Sequence, residues 1–331
     1  MKDLKLIAQQ MTARGKGILA ADESTPTCSK RFEALGIEST DLTRNEYRSK
    51  LLLSENIENY ISGVILFDET FHQNIQGTNT PIPKYLKQKN ILTGIKVDTG
   101  AKTLSNHNPE KITEGLDDLR DRLTNYKLNG ADFAKWRAVI TIGENIPSEA
   151  CLHSNAHALA RYASLCQEND IVPIVEPEVL MDGAHGIEKC FHTTEKALKE
   201  VFNALKLLNV DLEAIVLKPN MVLPGNSSNE RIEDSQIVKM TFDALKKNVP
   251  KEVPGIAFLS GGQNSDKAAE RLNLLNQLYP NKDWNLTFSY GRALQQDALF
   301  CFSKGDVLGL QKALLKRAKM NHLASIGQLF N

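Results

Sequence analysis

The feature that most constrains the fold is an alternation of short apolar segments with long segments of helical periodicity. Several of the short segments, such as residues 63–67, are continuous apolar runs. Such runs are typical of parallel strands, because those strands are buried on both faces. Eight segments have this strand-like composition: 17–22, 63–67, 91–97, 133–140, 171–176, 214–218, 255–259 and 286–290.

Long helical patterns separate these strands. The clearest cover residues 149–168, 194–208, 234–247 and 266–278, and the last two begin with an aspartate at a candidate N-cap position. Alternation of strand and helix predicts parallel strands joined by right-handed crossovers. Eight such units predict a closed (β/α)8 TIM barrel, in preference to a doubly wound open sheet, which usually has fewer strands.

The chain is predicted to form one domain. Its 331 residues could make two domains or one large barrel. Because no Pro/Gly/Ser-rich linker divides the sequence, we expect a single barrel domain over residues 1–331. An amphipathic helix carrying Leu4, Ile7, Ala8 and Met11 precedes the barrel, and a C-terminal helix and tail complete it.

Composition and charge narrow the possible partners. The chain has 40 Lys+Arg and 40 Asp+Glu, and this zero balance argues against a broad surface for nucleic acid or anionic membrane. It has no apolar run of about 18 residues, as a membrane-spanning helix requires, and no signal-peptide pattern. Its five cysteines are scattered and lack metal or redox spacing. These features predict a cytoplasmic protein with free thiols.

Two motifs do not support a cofactor or a metal. Residues 15–20 match the G-x-G-x-x-A pattern but precede a strand, whereas a dinucleotide fingerprint follows a strand and opens a helix. His153 and His157 lie four residues apart on a helix but have no third ligand in the pattern. The sequence therefore predicts no cofactor and no catalytic metal.

The chemistry of the chain is concentrated where its predicted strands end. In barrels of this kind, the active site lies at the C-terminal ends of the strands. Charged residues at or near those ends are Asp22, Lys96, Lys135, Arg137, Glu176, Glu178 and Lys218. Lysines that converge on one barrel mouth repel one another, so their clustering indicates a function, with the carboxylates as counter-charge and acid–base groups.

Lys218 is the strongest candidate for a nucleophile. Clustered cations and burial both lower a lysine pKa, and a neutral amine can attack a carbonyl to form a Schiff base. Of the lysine-bearing strands, the one that ends at Lys218 is the most apolar.

Glycines after the last two strands predict a phosphate site. Ser260-Gly261-Gly262 follows the seventh strand, and Gly291-Arg292 follows the eighth. Glycine lets backbone N–H groups approach an anion, and arginine can bind phosphate in a bidentate manner.

Taken together, these segments resemble the class I, or Schiff-base, fructose-bisphosphate aldolases. The matching stretches occur in the family order and cover nearly the whole chain: 15–24, 94–98, 132–137, 174–178, 217–221, 259–263 and 289–294. The resemblance implies a glycolytic lyase, a homotetramer, and no metal. It implies reversible cleavage of fructose 1,6-bisphosphate to dihydroxyacetone phosphate and glyceraldehyde 3-phosphate. Its expected partners are a phosphorylated sugar and other copies of the same chain, with no nucleic acid and no membrane.

The resemblance also implies residue roles. Lys218 is the Schiff-base lysine with Lys135 beside it, Glu176 is the acid–base residue with its neighbour Glu178, and Asp22 orients the C4 hydroxyl and assists cleavage. The ketone-side phosphate site contains Ser260, Gly261, Gly291 and Arg292, with Gly262 and Ser289 as further binding residues. The other phosphate site contains Lys96, Arg137, Ser24 and Thr27, and Arg31 swings over the mouth.

One departure and two alternatives accompany this interpretation. Many eukaryotic members carry a C-terminal tail that ends in tyrosine, and the sequence ends instead at Asn331. We expect either a truncated tail or a different route of proton transfer. The alternatives are a Schiff-base barrel lyase that acts on another phosphorylated ketose and a scaffold protein that retains the fold without activity.

Overall fold

A computed structural model of the chain describes residues 3–330. The strands in this range are β1 (Gly17–Ala21), β2 (Ile61–Leu66), β3 (Leu92–Lys96), β4 (Gly100–Thr103), β5 (Lys111–Glu114), β6 (Phe133–Ile140), β7 (Val172–Val179), β8 (Val216–Leu217), β9 (Gly255–Phe258) and β10 (Asn285–Tyr290). The helices are α1 (Leu4–Met11), α2 (Thr25–Glu33), α3 (Asp41–Leu52), α4 (Asp68–Phe71), α5 (Ile82–Gln88), α6 (Leu119–Leu128), α7 (Glu149–Glu168), α8 (Ile187–Leu207), α9 (Asp234–Asn248), α10 (Ser265–Leu278), α11 (Arg292–Ser303) and α12 (Val307–Ser325).

Eight of these strands close into a parallel barrel. Their order around it is β1, β2, β3, β6, β7, β8, β9 and β10, and β10 pairs back with β1. Each strand segment predicted from the sequence overlaps one barrel strand, and the helices surround the barrel to form one domain. The predicted (β/α)8 fold is confirmed.

The inside of the barrel is divided into apolar and charged layers. Alternate residues of each strand point inward, so the lower positions on β6 and β7 place Phe133, Val172 and Ile174 in an apolar cluster. Helix α1 closes the bottom of this cluster with Ile7, Ala8 and Met11, which are buried. Because the lower layers are filled, substrate-sized space remains only above them, where the same alternation brings charged residues inward.

The outward faces of the strands hold the helices in place. Trp136 lies between two inward-facing cations of β6 and is itself fully buried against the helical layer. Its ring stacks on Tyr162 of α7 with centroids 5.6 Å apart, and the Tyr162 hydroxyl donates to the Ile174 carbonyl at 3.2 Å. This packing fixes the rotation of β6, and therefore the inward direction of Lys135.

The predicted helix starts need correction. Asp234 and Asp266 are not N-caps: the caps are Glu233 and Asn264, and the Asn264 side chain accepts from the Asp266 N–H at 2.9 Å. An aspartate inside the first turn still interacts favourably with the helix dipole, which explains why each of these helices has an aspartate near its start. Helix α8 begins at Ile187, seven residues before the predicted start.

Two strand features also differ from expectation. Strand β8 contains only Val216 and Leu217, shorter than the predicted 214–218. Between β3 and α6 the chain forms an antiparallel hairpin of β4 and β5, which the sequence patterns did not predict. Its side chains are largely exposed, so it carries little of the apolar signal on which strand prediction depends.

The remaining sequence motifs lie at β1 and on α7. Gly17, in the G-x-G-x-x-A match, begins β1, so the match opens no helix. His157 is exposed on α7, as is His153, whose Nδ1 lies 3.8 Å from Glu200. In residues 3–330 no group of three or more His, Cys, Asp or Glu is arranged to hold a metal ion. No helix in that range is long and apolar enough to cross a membrane.

Candidate active site

The mouth of the barrel opens into a cavity of about 650 Å³ at the C-terminal ends of the strands. Every residue that the sequence analysis assigned to catalysis or substrate binding lines it. The proposed catalytic residues are Asp22, Lys135, Glu176, Glu178 and Lys218. The proposed binding residues are Ser24, Thr27, Arg31, Lys96, Arg137, Ser260, Gly261, Gly262, Ser289, Gly291 and Arg292.

Lys218 lies at the base of this cavity, immediately after β8. Its backbone N–H donates to the Val175 carbonyl at 2.8 Å, which continues the strand pairing and directs the side chain inward. The side chain is almost completely buried, and its Nζ lies 3.4 Å from Glu176 Oε1. Burial and the neighbouring Lys135 ammonium lower the pKa of Lys218, although the carboxylate of Glu176 opposes them.

Lys135 lies between two carboxylates. Its Nζ donates to Asp22 Oδ2 at 3.0 Å and lies 3.1 Å from Glu176 Oε2. Burial alone would lower the pKa of Lys135, but Asp22, Glu176 and Asp98 raise it above its ordinary value. Lys135 and Lys218 in turn hold the pKa of Asp22 below its ordinary value, against the effect of burial. Lys135 is therefore a fixed ammonium and Asp22 a fixed carboxylate at neutral pH.

A second group of ion pairs lines one side of the mouth. Glu178 pairs with the Arg137 Nε, and Lys96 Nζ lies 2.7 Å from Asp98 Oδ1. Asp98 also accepts from the Gly100 N–H at 3.1 Å. The cations on this side are thus held in position while Arg137 remains partly exposed to the cavity.

The opposite side of the mouth is rich in unpaired hydrogen-bond donors. Gly291 is the N-cap of α11 and provides no side-chain cap, so N–H groups of the first turn face the site. The Ser289 hydroxyl is buried and has no hydrogen-bond partner among residues 3–330. Gly261 and Gly262 take positive φ angles of 56° and 111° in the adjoining loop. This arrangement suits an anion with several acceptor oxygens.

Arg31 projects from α2 toward the cavity. Its Nη1 lies 2.5 Å from Glu23 Oε1, and that oxygen also accepts from Gln295 Nε2 at 2.9 Å. Ser24 and Thr27, at the start of α2, lie with their hydroxyl oxygens 3.1 Å apart. The first turn of α2 therefore supplies hydroxyl groups to the rim, while Glu23 holds the arginine.

Two lining residues were missed by the sequence analysis. Asp98 lies two residues after Lys96, and Glu23 lies immediately after Asp22; each anchors a cation of the site, Lys96 and Arg31 respectively. Their sequence signal was present in Lys96-Val97-Asp98 and in Asp22-Glu23-Ser24. What the sequence could not reveal is the direction of each carboxylate, since both residues lie just beyond the end of a strand, where the alternation of strand faces no longer fixes the side chain.

Comparison with known proteins gives a consistent result. The sequence model of the family described as fructose-bisphosphate aldolase class-I matches residues 3–331. A probable class 1 fructose-bisphosphate aldolase of Xanthomonas campestris pv. campestris is 49% identical over 331 residues, covering 99% of this chain and 98% of its own. The cytosolic fructose-bisphosphate aldolase 4 of Arabidopsis thaliana is 49% identical over 315 residues, covering 95% and 80% respectively.

The fold comparison agrees. The fructose-bisphosphate aldolase of Plasmodium falciparum, solved in a ternary complex with TRAP and a small-molecule inhibitor, superposes with a TM-score of 0.96. Its sequence is 43% identical, and the match covers 99% of this chain and 95% of that one. The chain therefore belongs to the class I fructose-bisphosphate aldolase family and is a lyase of the Schiff-base class.

Proposed function

We propose that Lys218 forms the Schiff base in the reversible cleavage of fructose 1,6-bisphosphate. The observation that carries this assignment is the contrast between the two buried lysines. Lys135 is held charged between Asp22 and Glu176, whereas burial and the Lys135 charge favour the neutral amine of Lys218. A neutral amine has the free electron pair that addition to the C2 carbonyl requires.

Glu176 serves the formation of the imine. After Lys218 Nζ adds to C2, the carbinolamine must lose its hydroxyl group as water. Glu176 Oε1 lies 3.4 Å from Lys218 Nζ and is almost completely buried, so it can take the proton that the lysine loses before its attack and deliver that proton to the leaving hydroxyl. Lys135, 3.1 Å from the same carboxylate, stabilises its ionised form once that proton has left.

Asp22 then assists cleavage of the C3–C4 bond. Its carboxylate takes the proton of the C4 hydroxyl as that carbon becomes the aldehyde. The bonding electrons move to the protonated imine, so the fragment that stays on Lys218 is an enamine. Glyceraldehyde 3-phosphate leaves, C3 takes up a proton that replaces the one lost from the C4 hydroxyl, and hydrolysis of the imine releases dihydroxyacetone phosphate and restores the lysine.

Two groups of residues bind the two phosphates. The ketone-side phosphate lies against the first turn of α11, with Ser260, Gly261, Gly262, Ser289, Gly291 and Arg292 around it. The aldehyde-side phosphate lies near Ser24, Thr27, Lys96 and Arg137, and Arg31 reaches it after leaving Glu23. Because both phosphates are bound, C2, C3 and C4 are held in position for reaction, and the energy of binding the phosphates is used to orient these carbons.

The decisive experiment is reduction by borohydride in the presence of dihydroxyacetone phosphate, followed by peptide mass spectrometry. We expect the reduced adduct on Lys218 in the wild-type protein and no adduct in Lys218→Met. A methionine keeps an unbranched side chain of similar length, so the fold should survive. An adduct on Lys96 or Lys135 in the wild-type protein would contradict the assignment.

We further propose that the protein acts in the cytoplasm as a homotetramer whose other partners are phosphorylated sugars alone. The name of the Arabidopsis relative and the family resemblance support this proposal. Light scattering coupled to size-exclusion chromatography tests the assembly, and a mass near 36.8 kDa, that of one chain, would contradict it.

A further inference from the structure

A second, smaller cavity lies at the opposite end of the barrel from the catalytic mouth. Its volume is about 210 Å³, and it is bounded by the segment before β1, the start of β10 and the end of α12. The residues that carry the argument are Thr12, Arg14, Lys282, Trp284, Thr287 and Ser325. None of them belongs to the catalytic site described above.

The charges that line this cavity are of one sign. Arg14 and Lys282 are its charged residues, and no carboxylate lines it within residues 3–330. In the same part of the chain, neither cation forms an ion pair, and Lys282 Nζ donates only to the Tyr279 carbonyl, at 3.0 Å. The contrast with Arg317, which pairs with both Asp266 and Asp297, is clear.

The electrostatic environment of Lys282 reflects this arrangement. Burial and the nearby guanidinium of Arg14 lower the pKa of the Lys282 ammonium. Two cations that face one cavity without a carboxylate leave a positive potential there, which an anion would neutralise.

Three hydroxyl groups in the walls of the cavity are already engaged in structural hydrogen bonds. The hydroxyl of Thr12 donates to the Ala8 carbonyl at 3.1 Å, and that of Ser325 donates to the His322 carbonyl at 2.7 Å. The Thr287 hydroxyl donates to the Lys16 carbonyl. These hydroxyl hydrogens are therefore not offered to a ligand, and the charged donors of the cavity are Arg14 and Lys282.

We propose that this cavity binds a doubly charged tetrahedral oxyanion, either inorganic phosphate or the phosphate group of a small monoester, between Arg14 and Lys282. Two cations match the charge of such a dianion, and the guanidinium can contact two of its oxygens at once. The cavity volume is below the range of about 300–1,000 Å³ typical of drug-sized ligands, so a small ion or ester fits and a nucleotide does not.

Trp284 supplies a local probe for the test. The chain has two tryptophans, and the other, Trp136, is fully buried beside α7. The whole protein is titrated with phosphate at constant ionic strength while tryptophan emission is followed. We expect a saturable change that Trp284→Phe abolishes, and an affinity at least about 10-fold weaker in Arg14→Gln/Lys282→Gln, because charge-assisted hydrogen bonds are lost.

Two control variants separate this site from the catalytic mouth and from general charge effects. Arg292→Ala weakens the proposed catalytic phosphate site and should leave the emission change intact. Lys312→Gln/Lys316→Gln removes the same charge from exposed positions of α12 and should also leave it intact. Unchanged cleavage activity of Arg14→Gln/Lys282→Gln verifies that this variant is folded.

The outcomes are distinct. A phosphate response that persists in Arg14→Gln/Lys282→Gln but disappears in Arg292→Ala overturns the proposal, as does an equal response to chloride. A parallel titration with glycerol 3-phosphate identifies the source: tighter binding than phosphate indicates a monoester, and equal binding indicates the free ion. Absence of a saturable response to both compounds overturns the proposal without touching the assignment of Lys218.

Discussion

Lys218 and Lys135 have the same side chain and face the same cavity, but their pKa values shift in opposite directions. Lys135 has carboxylate oxygens at 3.0 and 3.1 Å on two residues, Asp22 and Glu176. Lys218 has a carboxylate oxygen at 3.4 Å, and Lys135 is a neighbouring positive charge. The protein therefore holds Lys135 as a cation and lowers the pKa of Lys218, with the carboxylate of Glu176 shared between them.

This contrast predicts the pH dependence of imine formation. The rate should rise as Lys218 loses its proton, with an inflection below the ordinary lysine pKa of 10.5. Glu176 raises the pKa of Lys218, so Glu176→Gln should move the inflection to lower pH. The measurement is the initial rate of borohydride-trapped adduct with dihydroxyacetone phosphate across pH.

Glu178→Gln is the matched control for that variant. Glu178 also raises the pKa of Lys218, but more weakly than Glu176. Its replacement should therefore move the inflection in the same direction by a smaller amount. A wild-type inflection at 10.5 or above would show that the site does not favour the neutral amine.

Arg292 gives a second prediction at this scale. Arg292→Ala should raise KM for fructose 1,6-bisphosphate, because a charge-assisted hydrogen bond to phosphate is worth about 1.5–3 kcal/mol, or roughly 10- to 150-fold in binding. Some affinity should remain, since the N–H groups around Gly291 persist.

Arg120→Ala serves as the control, because Arg120 is an exposed residue of α6 that pairs with Glu168. Steady-state kinetics of both variants are compared with those of the wild-type protein. Equal KM values for Arg292→Ala and the wild-type protein would mean that Arg292 does not contact the substrate.

At the scale of elements, the helix and strand bounds that were predicted correctly are those fixed by which residues are buried locally. Helix α7 occupies 149–168 as predicted, because its apolar residues recur on one face and Ser148 caps its start by accepting from the Cys151 N–H at 3.1 Å. Strand β6 also has its predicted bounds, because its residues are buried almost throughout.

The start of α8 could not be found in this way. Its first N–H group, that of Ile187, donates to Glu230 Oε2 at 2.9 Å, and Glu230 lies 43 positions further along the chain. The residue at the N-cap, Gly186, provides no side-chain cap. A cap supplied from a distant segment leaves no local sequence signal, so the periodicity alone placed the helix start too late.

The site residues were also predicted only where the sequence carries a local signal. Residues such as Lys218 and Glu176 were identified because charge at the end of an apolar strand is conspicuous in the sequence. Asp98 and Glu23 were not identified, because their contribution is an ion pair whose geometry depends on the direction of neighbouring side chains.

The loop after β9 provides a prediction for an element. Gly262 has a φ of 111°, and a Cβ there would lie 2.8 Å from the Met181 Sδ. Gly262→Ala should therefore distort the loop next to the proposed phosphate site, lowering the free energy of unfolding by roughly 1–2 kcal/mol and raising KM.

Gly36→Ala is its control. Gly36 also has a positive φ, of 71°, but a Cβ there would meet open space, and the residue lies outside the cavity. It should lose comparable stability in urea unfolding and leave KM unchanged. If Gly262→Ala also left KM unchanged, the loop would have no part in substrate binding.

For the molecule as a whole, the layered interior of the barrel separates stability from chemistry. The apolar lower layers and the plug formed by α1 are ordinary core, whereas the upper layer buries lysines and carboxylates together. Burying a charge costs stability unless a partner compensates for it. Function therefore depends on a layer that the lower layers must stabilise.

The two buried lysines make this cost measurable. The pKa of Lys218 is lower in the folded protein than its ordinary value, so folding disfavours its ammonium form. This cost is present in full below the folded-state pKa and disappears as pH rises to 10.5. Lys218→Met should therefore raise the free energy of unfolding at pH 7, by roughly 0.5–2 kcal/mol, and the gain should shrink toward pH 10.5.

Lys135→Met should have the opposite effect although the substitution is the same. The pKa of Lys135 is raised on folding, so its ammonium form stabilises the native state, and its removal leaves Asp22 and Glu176 without their shared cation. Breaking a buried ion pair typically costs about 3–5 kcal/mol. Urea unfolding at one protein concentration measures both variants, and changes of the same sign would refute the division of roles between the two lysines.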